Sequence, residues 1–194
     1  MAGEWAALVS GLAIGFSLAA PPGPVNALIA REASRRGPWA GFRAGVAAPI
    51  VDLTYLTLVL FGVQRLAFLH AIEPALAAVG AVLMLALAWA AVRAPRAGEV
   101  ERELGFGAVL AVSLTNPFQY AWWISAGAIL LVGGGPWTIA GFAVAIFGWV
   151  ATFSYLVWRG AQRWGWFSPL LVLVSADVLV AFAFQLALTA SAGF

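Results

Sequence analysis

Ser17-Leu18-Ala19-Ala20-Pro21-Pro22-Gly23-Pro24-Val25-Asn26 closes the first apolar run of the chain, and its three prolines decide how that run is read. Each proline lacks an amide hydrogen and collides with the preceding turn, so no helix continues from Pro21 through Pro24. The carbonyls of Ser17, Leu18 and Ala20 lose the amides four residues ahead that would have bonded to them. In hydrocarbon such groups are costly unless they line a wet cavity or find protein donors. A break of this kind marks a place where backbone faces something polar.

Composition puts the break inside a membrane. Of the 194 residues 63% are hydrophobic and 9% charged, against roughly 25% charged in a soluble domain. Apolar stretches long enough to cross a hydrocarbon core about 30 Å thick run from 5 to 30, 39 to 63, 74 to 92, 105 to 131, 137 to 158 and 169 to 190. Pro38, Pro74, Pro136 and Pro169 open four of them, at positions where a helix has no amide partner to lose. Leu18-Ala19-Ala20 resembles a signal-peptide cleavage site, but the run lacks a basic leader and has Glu4 as the only charge before it, so it is read as a span. The expected fold is an all-α integral membrane protein forming one transmembrane domain over residues 1–194, with six helices.

The charges assign sides. All ten basic residues are Arg, and with eight acids they leave a net charge of +2, too weak and scattered for a nucleic-acid footprint. The absence of Cys excludes disulfides, thiol relays and thiolate metal sites. Arg31, Arg35, Arg36, Arg43, Arg93, Arg96, Arg102, Arg159 and Arg163 fall in the connections after spans one, three and five, and only Arg65 falls on the other side. Short cytoplasmic loops carry the basic excess, so both termini are expected outside the cytoplasm. Trp5, Trp39, Trp89, Trp137, Trp158, Trp164 and Trp166 lie near span ends and read as interfacial anchors among the lipids.

The chain also repeats itself. Ser17-Leu18-Ala19-Ala20-Pro21 resembles Ser113-Leu114-Thr115-Asn116-Pro117, Gly37-Pro38-Trp39 recurs as Gly135-Pro136-Trp137, and Asp52-Leu53-Thr54-Tyr55 is echoed by Thr152-Phe153-Ser154-Tyr155. The matches keep one order and nearly one offset, which suggests a duplication with repeats over about 5–92 and 105–190. Each unit has an odd number of spans, so the second copy is expected upside down relative to the first. Inverted repeats with broken helices are a transporter signature. Asn116-Pro117 gives span four a milder break, and Pro49 frees a carbonyl in span two.

Asp52 and Asp177 are the only acids inside the spans. Acids at such depth are functional candidates because they can relay protons along a buried path. Asn26, Tyr55 and Gln119 are the other polar side chains near the same level, with Trp122 and Trp123 close to the span-four break. His70 beside Glu73 has no partners for a metal, and Glu99, Glu101 and Glu103 with Arg96 and Arg102 read as a solvated loop.

Gly15-Phe16, Pro22-Gly23-Pro24 with Asn26, Arg43 and Gly45 at the Gly-rich start of span two, Asp52 with Tyr55, and Asn116-Pro117 together resemble the lysine-exporter family of amino-acid efflux proteins. The resemblance covers the whole chain, with its specific motifs in residues 11–56 and 113–123. It implies a six-helix exporter of amino acids or similar small polar metabolites in the cell membrane, driven by the proton-motive force and forming a homodimer. No cofactor, metal or enzymatic step is implied, since no nucleophile or metal cluster converges. The expected substrate-binding residues are Pro22, Gly23, Pro24, Asn26, Tyr55, Asn116, Pro117 and Gln119, with Asp52 and Asp177 as proton-coupling groups. Pro49 and Asp177 depart from the family's pattern, which puts the cargo in question. Export of a metal cation, known in the wider superfamily, is disfavoured because neither intramembrane acid has a His, Glu or second Asp near it in sequence. A scaffold subunit is the remaining alternative.

Overall fold

The prolines end the first helix where the sequence says they must. The computed structural model describes residues 2–60, 78–79, 81–83, 85–86, 88–89, 105–116, 119, 122–123, 131 and 133–192. Helix α1 (Ala2–Ala19) stops before Pro21, and α2 (Pro24–Arg36) restarts with Pro24 in its first turn after Gly23 in extended conformation. The two axes are bent by 85°, so α1 and α2 form either one broken span or a re-entrant pair. Then come α3 (Pro38–Gly45), α4 (Ala47–Leu60), α5 (Gly105–Thr115), α6 (Gly135–Arg163) and α7 (Phe167–Ala192). No strand occurs among the described residues.

By length and composition two helical segments among the described residues can cross a membrane, Pro38–Leu60 and Gly135–Arg163, and α1 with α2 adds a third if they are one span. The expected third span, 74 to 92, lies largely outside the described residues, as do His70, Glu73, Glu99, Glu101 and Glu103. Within Pro38–Leu60 the interruption falls at Val46, not at Pro49. Pro49 is in the first turn of α4, where a missing amide is harmless, and the ladder resumes with Ile50 N–H donating to the carbonyl of Val46 at 3.2 Å.

Close packing sets the register of α1 and α2 on α6. A Cβ on Gly11 would collide with the Thr138 carbonyl, and one on Gly141 would collide with that of Leu8, so the two backbones touch. Farther along, Gly15 faces Phe142 and Ala145, Asn26 bonds to Trp149, and Ala30 and Ala33 cluster with Val157. Beyond the crossing of Gly11 with Gly141 these pairs advance along α6 as the chain passes from α1 into α2, and the break lies near the middle of that helix. Gly41 and Gly45 of α3 press against Ala33, Ile29, Val150 and Ser154 from the other side.

Three described glycines, Gly37, Gly105 and Gly135, have positive φ. Gly37 (φ 97°) and Gly135 (φ 78°) both precede a Pro-Trp pair that begins a helix, a conformation open to glycine and costly for other residues. The Gly-Pro-Trp recurrence seen in the sequence is therefore a recurrence of conformation as well.

Helix α2 runs past the expected span end at residue 30, and Arg31 and Glu32 are buried within it. Arg31, expected in an exposed connection, instead lies beside Glu32 at 3.9 Å, with Arg36 on the other Glu32 oxygen at 3.8 Å. An apolar-periodicity count cannot foresee this, because the burial comes from α2 packing against α3, α6 and α7. Trp5, Trp39, Trp89, Trp137, Trp164 and Trp166 are exposed, as anchors would be, whereas Trp123 is buried and Trp149 partly so.

Candidate functional site

Asn26 repairs the broken backbone. It occupies the first turn of α2, and its side-chain Nδ2 donates to the carbonyls of Ala19 and Pro21, each at 2.9 Å. Its Oδ1 accepts from the indole N–H of Trp149 on α6 at 3.1 Å. An indole nitrogen only donates, so the Asn26 oxygen must face Trp149 and both amide hydrogens must face the carbonyls. The Trp149 ring is held in turn by stacking on Phe153, with centroids 5.3 Å apart, and by an edge contact with Phe16 at 6.2 Å. Three segments are thereby tied at the break: the end of α1, the start of α2 and the middle of α6.

Asp52 is the second fixed point. Its side chain is buried, with 5% of the residue exposed, and Oδ1 accepts from Gln119 Nε2 at 2.6 Å and from Trp123 Nε1 at 3.0 Å. Both bonds fall on one oxygen, which leaves Oδ2 for the space that Asp52 lines. Gln119 follows directly after the interruption at Asn116, whose carbonyl accepts from the Gln119 backbone amide at 3.1 Å. Trp123 is fixed by aromatic neighbours: Trp122 at 5.1 Å, Phe142 at 5.8 Å and Tyr55 at 6.2 Å between centroids.

Between these two points lies a cavity of about 130 Å³. Its wall brings together Pro21, Pro22, Gly23 and Asn26 from the break, Pro49 and Asp52 from α4, and Asn116 and Gln119 from span four. Ile146, Trp149 and Val150 of α6 and Phe182 of α7 complete it. The first-turn amides of Val25 and Asn26 have no acceptor within α2 and form the positive end of its dipole.

The remaining sequence candidates are placed differently. Pro24 is buried under the start of α2, outside the cavity wall, and Tyr55 packs on Trp123 behind Asp52. Pro117 lies outside the described residues. Asp177, expected to be buried at mid-depth, is exposed on α7 and does not line the cavity. The helical repeat turns Ala176, Leu179 and Ala183 inward, and Asp177 falls off that face. In the second half Thr152, the echo of Asp52, is exposed as well, so that half supplies no acid of its own to the site.

Trp149, Trp123 and Phe182 escaped sequence reasoning as site residues. A tryptophan inside a 29-residue helix, far from either membrane interface, is the signal that could have singled out Trp149, since an indole N–H at that depth needs an acceptor. Among the described residues no group of three or more metal-ligating side chains occurs.

The pattern of the family described as LysE type translocator matches residues 16–190. No curated protein and no solved structure matches the chain. With that share of its length matched, the chain belongs to the LysE type translocator family, a family of membrane exporters and not of enzymes.

Proposed function

We propose that this LysE-type translocator is a proton-coupled secondary exporter of amino acids or similar small polar metabolites, and that its cargo sits in the cavity between the α1–α2 break and Asp52. The observation that carries the reading is the buried carboxylate of Asp52, held on one oxygen by Gln119 and Trp123 and offered to the cavity on the other. A substrate carboxylate meets the first-turn amides of α2, and its ammonium meets Asp52. Proton uptake at Asp52 weakens the hold on the ammonium, which exchanges one cation for another at a single group. That exchange is the simplest antiport a lone acid can perform.

In the full architecture six spans form two inverted repeats in the plasma membrane, both termini face away from the cytoplasm, and two copies form a homodimer. Support for the repeat comes from the matching left-handed glycines, Gly37 and Gly135, and from interruptions in both halves, at Pro21–Pro24 and at Asn116. Support for the orientation comes from Ala30 and Ala33 of α2 clustering with Val157 of α6, which brings the Arg35–Arg36 end of α2 near the Arg159–Arg163 end of α6.

Solute flux in proteoliposomes tests the function. Amino-acid movement driven by an imposed pH gradient is the expected result. A protein that moves no amino acid under any gradient overturns it.

A further inference from the structure

Among the described residues lining the cavity, Asp52 alone carries an ionisable side chain. The rest of span four, including residues 117–118, 120–121 and 124–130, contains no charged residue in its sequence. Of the three amides in the wall, Asn26 is engaged by three hydrogen bonds and Gln119 through its Nε2 on Asp52, and Asn116 adds a neutral polar group. Apart from these amides and Trp149, the described wall is largely apolar, with Ile29, Ala48, Ile146, Val150 and Phe182.

On the export reading above, we infer that the cavity selects amino acids with one ammonium, one carboxylate and a small aliphatic side chain, and rejects both dibasic and acidic ones. Charge arithmetic decides the first part. A single carboxylate neutralises a single cation, so the second cation of lysine or arginine lies against hydrocarbon with no counter-ion. The second carboxylate of aspartate or glutamate meets no Arg, Lys or His among the described lining residues. Burying an unpaired charge costs far more than an aliphatic contact returns. Size decides the second part. The cavity of about 130 Å³ is close to the apolar cavity of about 150 Å³ that accommodates benzene. Alanine and 2-aminobutyrate are of that order in heavy atoms, and aromatic amino acids exceed it.

The test is counterflow in proteoliposomes carrying the full chain, with radiolabelled alanine, 2-aminobutyrate, lysine and aspartate compared. The two aliphatic substrates should move at least about ten-fold more efficiently than either charged one, a margin that a pocket of fixed chemistry readily provides. Lysine or aspartate flux equal to that of alanine overturns the selectivity and leaves the exporter reading standing. If no amino acid moves, both fall. A gain-of-function arm uses Ala48, which lines the cavity one helical turn before Asp52 on α4. In Ala48→Asp a second carboxylate shares that face, and lysine flux should rise relative to alanine. A variant that folds, as judged by a monodisperse elution profile, and gains no lysine flux overturns the charge argument. Should Ala48→Asp fail to fold, the wild-type comparison alone decides.

Discussion

Trp149 Nε1 donates to Asn26 Oδ1 at 3.1 Å, and this bond fixes which way the Asn26 amide points. The Nδ2 hydrogens then reach the Ala19 and Pro21 carbonyls on either side of the bend. Asn26→Ala removes all three bonds and uncovers two carbonyls, so it should destabilise the protein by about 2 to 4 kcal/mol. Trp149→Phe keeps an aromatic ring near Phe153 but removes the N–H together with part of the ring, at a cost of about 1 to 3 kcal/mol. Because both act through one network, the double variant should be less destabilised than the sum of the singles, by about 1 kcal/mol. Thermal unfolding in detergent measures the cycle. Strict additivity would show that the two side chains do not act together.

The glycine crossing of α1 on α6 is a packing claim with a sharper outcome. A methyl on Gly141 would meet the carbonyl of Leu8, and one on Gly11 that of Thr138, and backbone cannot yield as a flexible side chain can. Gly141→Ala should therefore cost about 2 to 4 kcal/mol through forced separation of the helices. Gly148→Ala, on the same helix with open space around it, should stabilise slightly or leave Tm unchanged. Equal Tm values for the two variants would contradict the close approach.

Much of this architecture was legible in the sequence because proline chemistry is local. No helix can run unbroken through Pro21, Pro22 and Pro24, so the end of α1 and the restart of α2 followed from residue types alone. Asp52 was legible because an acid within an apolar run has few uses. What could not be read was any property set by rotation about a helix axis. Asp177 and Asp52 look alike in sequence, yet one lies off the packed face of α7 and the other is buried between α4 and span four. Trp149 looked like one more membrane tryptophan, and Trp123 stood out only for its closeness to the span-four break; the acceptors opposite their N–H groups, Asn26 and Asp52, are set by the fold. Burial of Arg31 and Glu32 is likewise tertiary, since it depends on which helices cover the end of α2.

The orientation is open to a clean experiment because the native chain has no Cys. Ser191 is exposed near the end of α7, where a Cys should be reachable. Ser191→Cys should react with an impermeant maleimide added outside intact cells. A residue in the last turn of α2, such as Arg36→Cys, should react only after permeabilisation, as the skew of Arg to that side requires. Reaction in the opposite order would invert the whole topology.

The last prediction concerns Asp52, where the hydrogen-bond pattern makes the usual substitution unusually informative. Gln119 Nε2 and Trp123 Nε1 both donate to Oδ1. In Asp52→Asn the single amide oxygen can take both bonds, so only the oxygen facing the cavity changes, from a titratable group to an NH₂. The variant should keep the packing and a Tm close to that of the wild type. Asp52→Ala, by contrast, strands two buried donors at about 1 to 3 kcal/mol each, and any loss of transport there would be confounded with loss of stability. If Asp52 carries the coupling proton, Asp52→Asn should abolish export driven by an imposed pH gradient and flatten the dependence of residual flux on pH. Asp177→Asn, altering a side chain outside the cavity wall, should leave pH-driven flux within about two-fold of wild type, as a substitution away from the site does. Wild-type flux in Asp52→Asn together with its loss in Asp177→Asn would move the proton to α7. Wild-type flux in both would remove carboxylate coupling from the mechanism.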